Sequence, residues 1–132
     1  MADVGPKSAR PLSPHLQVYR MLFTMVMSGA HRITGLALYI GTLLLAWWLM
    51  AAAVGPDYFE FVNGIAGSII GRLALLGFTW SLLHHLIGGL RYFVWDCGYG
   101  FSKEAREGMA RWTLILSIAL TIVVWIIGYA VR

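Results

Sequence analysis

Charge is the scarcest commodity in this sequence. Of its 132 residues only 12% are Asp, Glu, Lys or Arg, against 59% hydrophobic, and the mean hydropathy is +0.72. A soluble domain of this length needs far more polar surface, so a water-solvated fold is excluded and the chain's main solvent is lipid. Cysteine is nearly as rare. Cys97 stands alone, which rules out an internal disulfide, and no Cys/His spacing resembles a zinc site. Paired carboxylates, a glycine-rich phosphate loop and a nucleophile beside a base are all missing. No catalytic residue is assigned, and the chain is read as one subunit of something larger. Ten Lys and Arg against six Asp and Glu give a net charge of +4, but the basic residues are scattered at segment ends. That pattern sets membrane topology and excludes nucleic acid as a partner. The polar start "MADVGPKSARPLSPHLQVYR" lacks the apolar core of a secretory signal and the amphipathic Arg/Ser richness of an organelle leader, so Met1 is expected to begin the working protein.

What is present is aromatic and apolar: six Trp, six Tyr and six Phe, a complement suited to aromatic belts at two membrane surfaces. Three stretches carry no charge, residues 33–56, 73–90 and 112–131. Each approaches the ~20 residues that cross ~30 Å of hydrocarbon as a helix, and backbone satisfaction in lipid requires that they be helices. The expected fold is an all-α membrane protein with three transmembrane helices, at about 22–53, 65–95 and 110–131, following an N-terminal segment over residues 1–21. The anchor domain then covers residues 22–132. Lys7, Arg10 and Arg20 before the first span, and Arg91, Lys103, Arg106 and Arg111 around the second connection, contrast with Asp57 and Glu60 in the first connection. By the positive-inside rule the N-terminus is cytoplasmic and the C-terminus lies on the outer side, with Arg72 snorkelling to the outer interface. Glycines in "GSIIG" (67–71) and "GG" (88–89) offer surfaces for close helix packing.

Two polar clusters interrupt the apolar runs. "SGAHRITG" (28–35) sets His31 beside Arg32 at the start of the first span, and "LLHHLIGGLRYFVWD" (82–96) carries His84 and His85 well inside the second. Ionisable groups at membrane depth are costly and face a bundle interior or a site. A neutral imidazole is a natural axial ligand for haem iron. Adjacent helical residues point about 100° apart, so only one of the pair can serve. Gly88 and Gly89 lie one turn beyond His85 and leave room for a flat ring, which favours His85; His84 shares a face with Ile87 and Gly88. Haem propionates cannot sit unpaired in lipid. His31 and Arg32 are placed to meet them with charge-assisted hydrogen bonds. Ser28, one turn before Arg32, adds a hydroxyl, and Ser28 with Arg32 also suits a quinone carbonyl. A snorkelling Arg beside a helix-start Ser fits the same spacing.

"RPLSPHLQVYR", "SGAHRITG" and "HHLIGGLRYFVWDCGYG", in that order before a last apolar helix, resemble the cytochrome b anchor subunits of succinate dehydrogenase, respiratory complex II. The resemblance covers essentially the whole chain. It implies a membrane anchor, without dehydrogenase catalysis of its own, in a succinate:quinone oxidoreductase of the tricarboxylic acid cycle and electron transport chain. It implies a b-type haem shared with a second hydrophobic anchor subunit, each contributing one His, and ubiquinone as substrate. By motif the iron ligand is His85, the propionate pair is His31 and Arg32, and Ser28 and Arg32 line the quinone pocket, which an iron–sulphur subunit completes beside a flavoprotein subunit. "SPHLQVYR" (13–20) is expected against the iron–sulphur subunit at the cytoplasmic face. Tyr92 stands where relatives often carry His. The implied location is the bacterial inner membrane or, in the alternative, the mitochondrial one. A fumarate reductase anchor and a haem-free structural anchor are the other readings.

Overall fold

The structure, a computed structural model, describes residues 20–131. Of the expected N-terminal segment over residues 1–21, residues 1–19 lie outside the described residues, and with them all of "SPHLQVYR" but Arg20. Among the described residues there are four helices and no strand: α1 Phe23–Val54, α2 Pro56–Gly67, α3 Ile69–Asp96 and α4 Lys103–Ala130. α1, α3 and α4 are long and apolar enough to cross a membrane. The three expected spans are there.

Two boundaries differ from the sequence reading, for physical reasons. The first connection is not a loop but α2, a 12-residue helix. Gly55 (φ 148°) takes a backbone angle open to glycine, which breaks α1. Pro56 then starts α2 with its φ already helical, and Asp57 lies in the first turn, where a carboxylate offsets the helix dipole. Val62 is buried, Phe59 packs edge-on to Trp48 of α1 at 5.3 Å, and Tyr58 Oη accepts from Trp47 Nε1 at 2.9 Å. These contacts fold α2 back on the end of α1. Ser68 makes the corner into α3: its Oγ accepts from Gly71 N at 3.1 Å and donates to the Ile65 carbonyl at 2.7 Å. A Cβ at Gly71 would strike the Ile65 and Ala66 carbonyls. "GSIIG" is therefore a corner rather than a packing face.

The second difference is that α4 begins at Lys103 instead of about 110. Ser102 caps it, Oγ accepting from Ala105 N at 3.2 Å, with Glu104 in the first turn. Charge ended the apolar span at Arg111, but a capped helix runs on into the polar layer. Gly98 (φ 83°) closes α3, and Tyr99 N bonds back to the Val94 carbonyl at 3.2 Å, the six-to-one bond of a glycine-terminated helix.

The interior inverts that of a soluble protein. Buried apolar side chains are Met27, Ala51, Val62 and Ala110; buried polar or charged ones are Thr34, Ser81, His84, Arg91, Thr113, Ser117 and Thr121. Leucines and isoleucines such as Leu43, Leu73, Ile122 and Ile126 face outward. In lipid no water drives apolar side chains together, so helices join through small residues and polar contacts. α3 presents Ser81, His84, Gly88 and Arg91, and α4 presents Ala110, Thr113, Ser117 and Thr121. Both sets recur at three- and four-residue steps, the period of one helix face.

Candidate functional site

α1 starts, α3 ends and α4 starts at one end of the bundle, which brings "SGAHRITG" against the "HHLIGG" turn. His31 and His85 form a reciprocal pair across the α1–α3 contact. His31 Nε2 donates to the His85 carbonyl at 3.2 Å, and His85 Nδ1 donates to the His31 carbonyl at 3.1 Å. The imidazoles stack at 3.9 Å between centroids with 19° between planes. Both carbonyls belong to helix interiors and can only accept, so each bond fixes the ring proton: on Nε2 in His31 and on Nδ1 in His85. His85 is thereby left with Nε2 as its lone-pair nitrogen. The ring is only partly buried.

Two glycines make the pair possible. A Cβ at Gly35 would lie 3.1 Å from His85 Cε1, and one at Gly88 would strike the His31 ring. The space expected for a foreign flat ring over both Gly88 and Gly89 is therefore divided. His31 fills the Gly88 side, while a Cβ at Gly89 would meet nothing within 4 Å. Tyr92 meets the His31 ring edge-on at 5.3 Å.

His84 has a different environment. It is 1% exposed, lies 5.1 Å from the Trp80 ring, and its Nδ1 pairs with Ser117 Oγ of α4 at 3.2 Å. Ser117 Oγ donates its own hydrogen to the Leu114 carbonyl at 2.9 Å, so it accepts from His84 Nδ1–H. His84 is an α3–α4 strut. Ser117→Ala leaves a buried imidazole N–H unpaired, and the expected loss is about 1 kcal/mol of stability, read as a lower thermal-inactivation midpoint of the purified complex.

The other expected site residues lie on α1 around the pair. Ser28 is partly buried and Arg32 exposed, and among the described residues Arg32 has no ion pair; the one ion pair there is Arg111–Glu107 at 3.5 Å. Arg91, visible in the sequence as a charge at the end of the second span, is buried beside the site. It is 6% exposed, its guanidinium carbon sits 5.7 Å from the Tyr92 ring and 5.1 Å from the Trp95 ring, and its Nε is buried without a hydrogen-bond partner. Cation–π contact replaces an anion there. Among the described residues no three His, Cys, Asp or Glu gather as a metal site. A cavity of about 920 Å³ opens at the other end, lined by Glu60, Arg72, Trp125 and Tyr129 among others, far from the histidine pair.

The profile of the succinate dehydrogenase/fumarate reductase transmembrane subunit matches residues 6–126. The chain belongs to that family. It is similar to the succinate dehydrogenase cytochrome b556 subunit of Paracoccus denitrificans, 39% identical over 129 residues and 98% of each chain. The cytochrome b556 subunit of Rickettsia prowazekii is 35% identical over 89% of this chain and 91% of its own. The mitochondrial cytochrome b560 subunit of Sus scrofa is 36% identical over 84% of this chain and 67% of its own. The resemblance read from three short motifs thus extends along the whole chain. Bacterial and mitochondrial members alike are named as cytochromes b of succinate dehydrogenase, and the three apolar helices of this chain make it a membrane member of that set.

Proposed function

We propose that this chain is a membrane-anchor cytochrome b subunit of a succinate:quinone oxidoreductase, holding one side of a b-type haem and part of the ubiquinone-reduction site. The observation that carries the haem assignment is the state of His85. Metal-bound histidines characteristically give their second ring N–H to a carbonyl or carboxylate. His85 does so, Nδ1 to the His31 carbonyl at 3.1 Å, which leaves Nε2 as a neutral donor atom. Open space beside Gly89, one turn along α3, suits a flat macrocycle, and His84 is enclosed between α3 and α4. When bound, the haem supplies one-electron redox chemistry whose potential the axial ligands set.

This chain's own residues then bind and orient. His85 offers iron one imidazole nitrogen, and a second hydrophobic anchor subunit offers the other. His31 keeps Nε2–H on the His85 carbonyl and stands with Arg32 as the pair assigned to the haem propionates. Exposed Arg32 supplies the positive charge there and reaches a quinone carbonyl, beside the hydroxyl of Ser28. The iron–sulphur subunit closes the pocket and the flavoprotein subunit lies beyond it. Lys103, Arg106 and Arg111 flank the same end of the bundle, which supports placing this end at the cytoplasmic side of a bacterial inner membrane, with the C-terminus outside.

The quinone assignment is tested at Ser28 and Arg32. Ser28→Ala removes one hydrogen bond and no charge, so quinone reduction weakens by about 1 kcal/mol while haem content holds. Arg32→Leu depresses quinone reduction more severely and lowers haem content, because a propionate loses its counter-charge. Succinate:quinone activity and a haem spectrum are measured for each variant, with succinate oxidation by an artificial acceptor as control. Full quinone activity in Ser28→Ala across a range of quinone concentrations reduces Ser28 to a helix-start residue.

A further inference from the structure

Thr34 is 1% exposed and sits inside a membrane helix. Its Oγ1 donates to the His31 carbonyl, three residues back, at 2.9 Å. A threonine bonding back to its own helix is ordinary in lipid and by itself implies nothing. The second contact is different: Thr34 Oγ1 lies 3.4 Å from His85 Nδ1. The hydroxyl's single hydrogen is already given to His31 O, so toward His85 the oxygen can only accept. The Nδ1–H of His85 is therefore bracketed by two acceptors, the His31 carbonyl and the Thr34 hydroxyl, which are themselves bonded to each other. Next to it, Gly35 supplies the clearance, since a Cβ there would press on His85 Cε1 at 3.1 Å. One side of the imidazole is tied and the adjacent edge is given room.

We propose that Thr34, with Gly35 beside it, is a positioning residue for His85: the pair fixes the plane of the imidazole and hence the orientation of its ligating nitrogen. The proposal rests on the reading of His85 as a haem ligand. A carbonyl alone sets which nitrogen carries the proton but permits rotation of the ring about that bond; a second acceptor on a neighbouring atom removes that freedom. Such outer partners hold a ligand's ring orientation as well as its basicity. The Thr-Gly of "SGAHRITG" thereby has a physical reason, independent of the His-Arg that precedes it.

The test uses the whole complex, with its partner anchor, purified from membranes, and compares Thr34→Val, Thr34→Ser and Gly35→Ala. Valine keeps the branched shape and removes the acceptor; serine keeps the acceptor; alanine at 35 pushes the ring edge. The readout is the low-spin ferric haem electron paramagnetic resonance spectrum, whose largest g value depends on the angle between the two axial imidazole planes. The expected result is a displaced largest g value in Thr34→Val and Gly35→Ala, with a wild-type spectrum in Thr34→Ser. A wild-type g value in Thr34→Val overturns the proposal. If that variant does not assemble, Gly35→Ala decides in its place: a wild-type g value there overturns the proposal as well. His85→Ala in the same series separates the two claims. Low-spin haem surviving in His85→Ala defeats the ligand assignment itself, whereas its loss beside an unchanged Thr34→Val defeats only the role of Thr34.

Discussion

The complex carrying His85→Ala is expected to lose its six-coordinate low-spin b-type haem spectrum, and the complex carrying His84→Ala to keep it. The two residues are neighbours in sequence and opposites in environment. His85 lies at the α1–α3 contact with Nδ1–H spent on the His31 carbonyl, and an alanine there removes the free nitrogen outright. On the proposed ligation, iron held by two histidines would be left with one, and the low-spin state needs both. His84, with Nδ1 on Ser117 and Trp80 beside it, is walled in by its own chain. His84→Ala opens a void and leaves Ser117 with only its bond to the Leu114 carbonyl, an expected stability loss of about 1–2 kcal/mol with the spectrum intact. Optical and paramagnetic resonance spectra of both variants, normalised to complex, are the measurement. A low-spin signal surviving at 85 and lost at 84 reverses the assignment.

A second large effect separates the two glycines of "GG". Gly88→Ala puts a methyl into the space held by the His31 ring. His31 is pinned on that side by its stack on His85 and its bond to the His85 carbonyl, so the ring cannot move without giving up both. Overpacking of this kind costs about 1–3 kcal/mol, and the expected outcome is a clear fall in assembled complex and in thermal-inactivation temperature. Gly89→Ala meets nothing in this chain and gains helix propensity, so assembly holds. Its methyl instead enters the space assigned to the macrocycle, and haem per complex falls. Yield and haem-to-protein ratio, measured on both variants, give opposite signatures. Equal losses of haem and yield in both variants remove the distinction.

The spans were legible because membrane helices announce themselves by length and lack of charge, and 33–56, 73–90 and 112–131 met both. α2 was hidden by its punctuation. "GPDYFEFVNG" reads as a turn at either end, although Phe59, Val62 and Ala66 fall three and four apart, and Pro56 with Asp57 is a helix start. The early start of α4 was written in Ser102 and Glu104, but a charge-based boundary passes over a cap. At the site, the motifs singled out His31 and His85, and the structure brings those two together. What sequence could not give is that each ring takes the other's backbone carbonyl, since the partners are 54 residues apart and their meeting depends on the register of α1 against α3. Thr34 was visible within "SGAHRITG", but its contact with His85 depends on the same register. Arg91 was visible as a charge, but its burial against Tyr92 and Trp95 depends on the turn of α3 that carries all three.

α1 is 32 residues long and buries only Met27, Thr34 and Ala51. A helix in a bilayer completes its backbone bonds before any neighbour arrives, so this one owes its persistence to the membrane and almost nothing to the rest of its chain. Insertion and docking are then separate events in the life of the protein. A freshly synthesised copy can reside in the bilayer with most of the α1 circumference in contact with acyl chains, and the next encounter takes place by lateral diffusion in two dimensions.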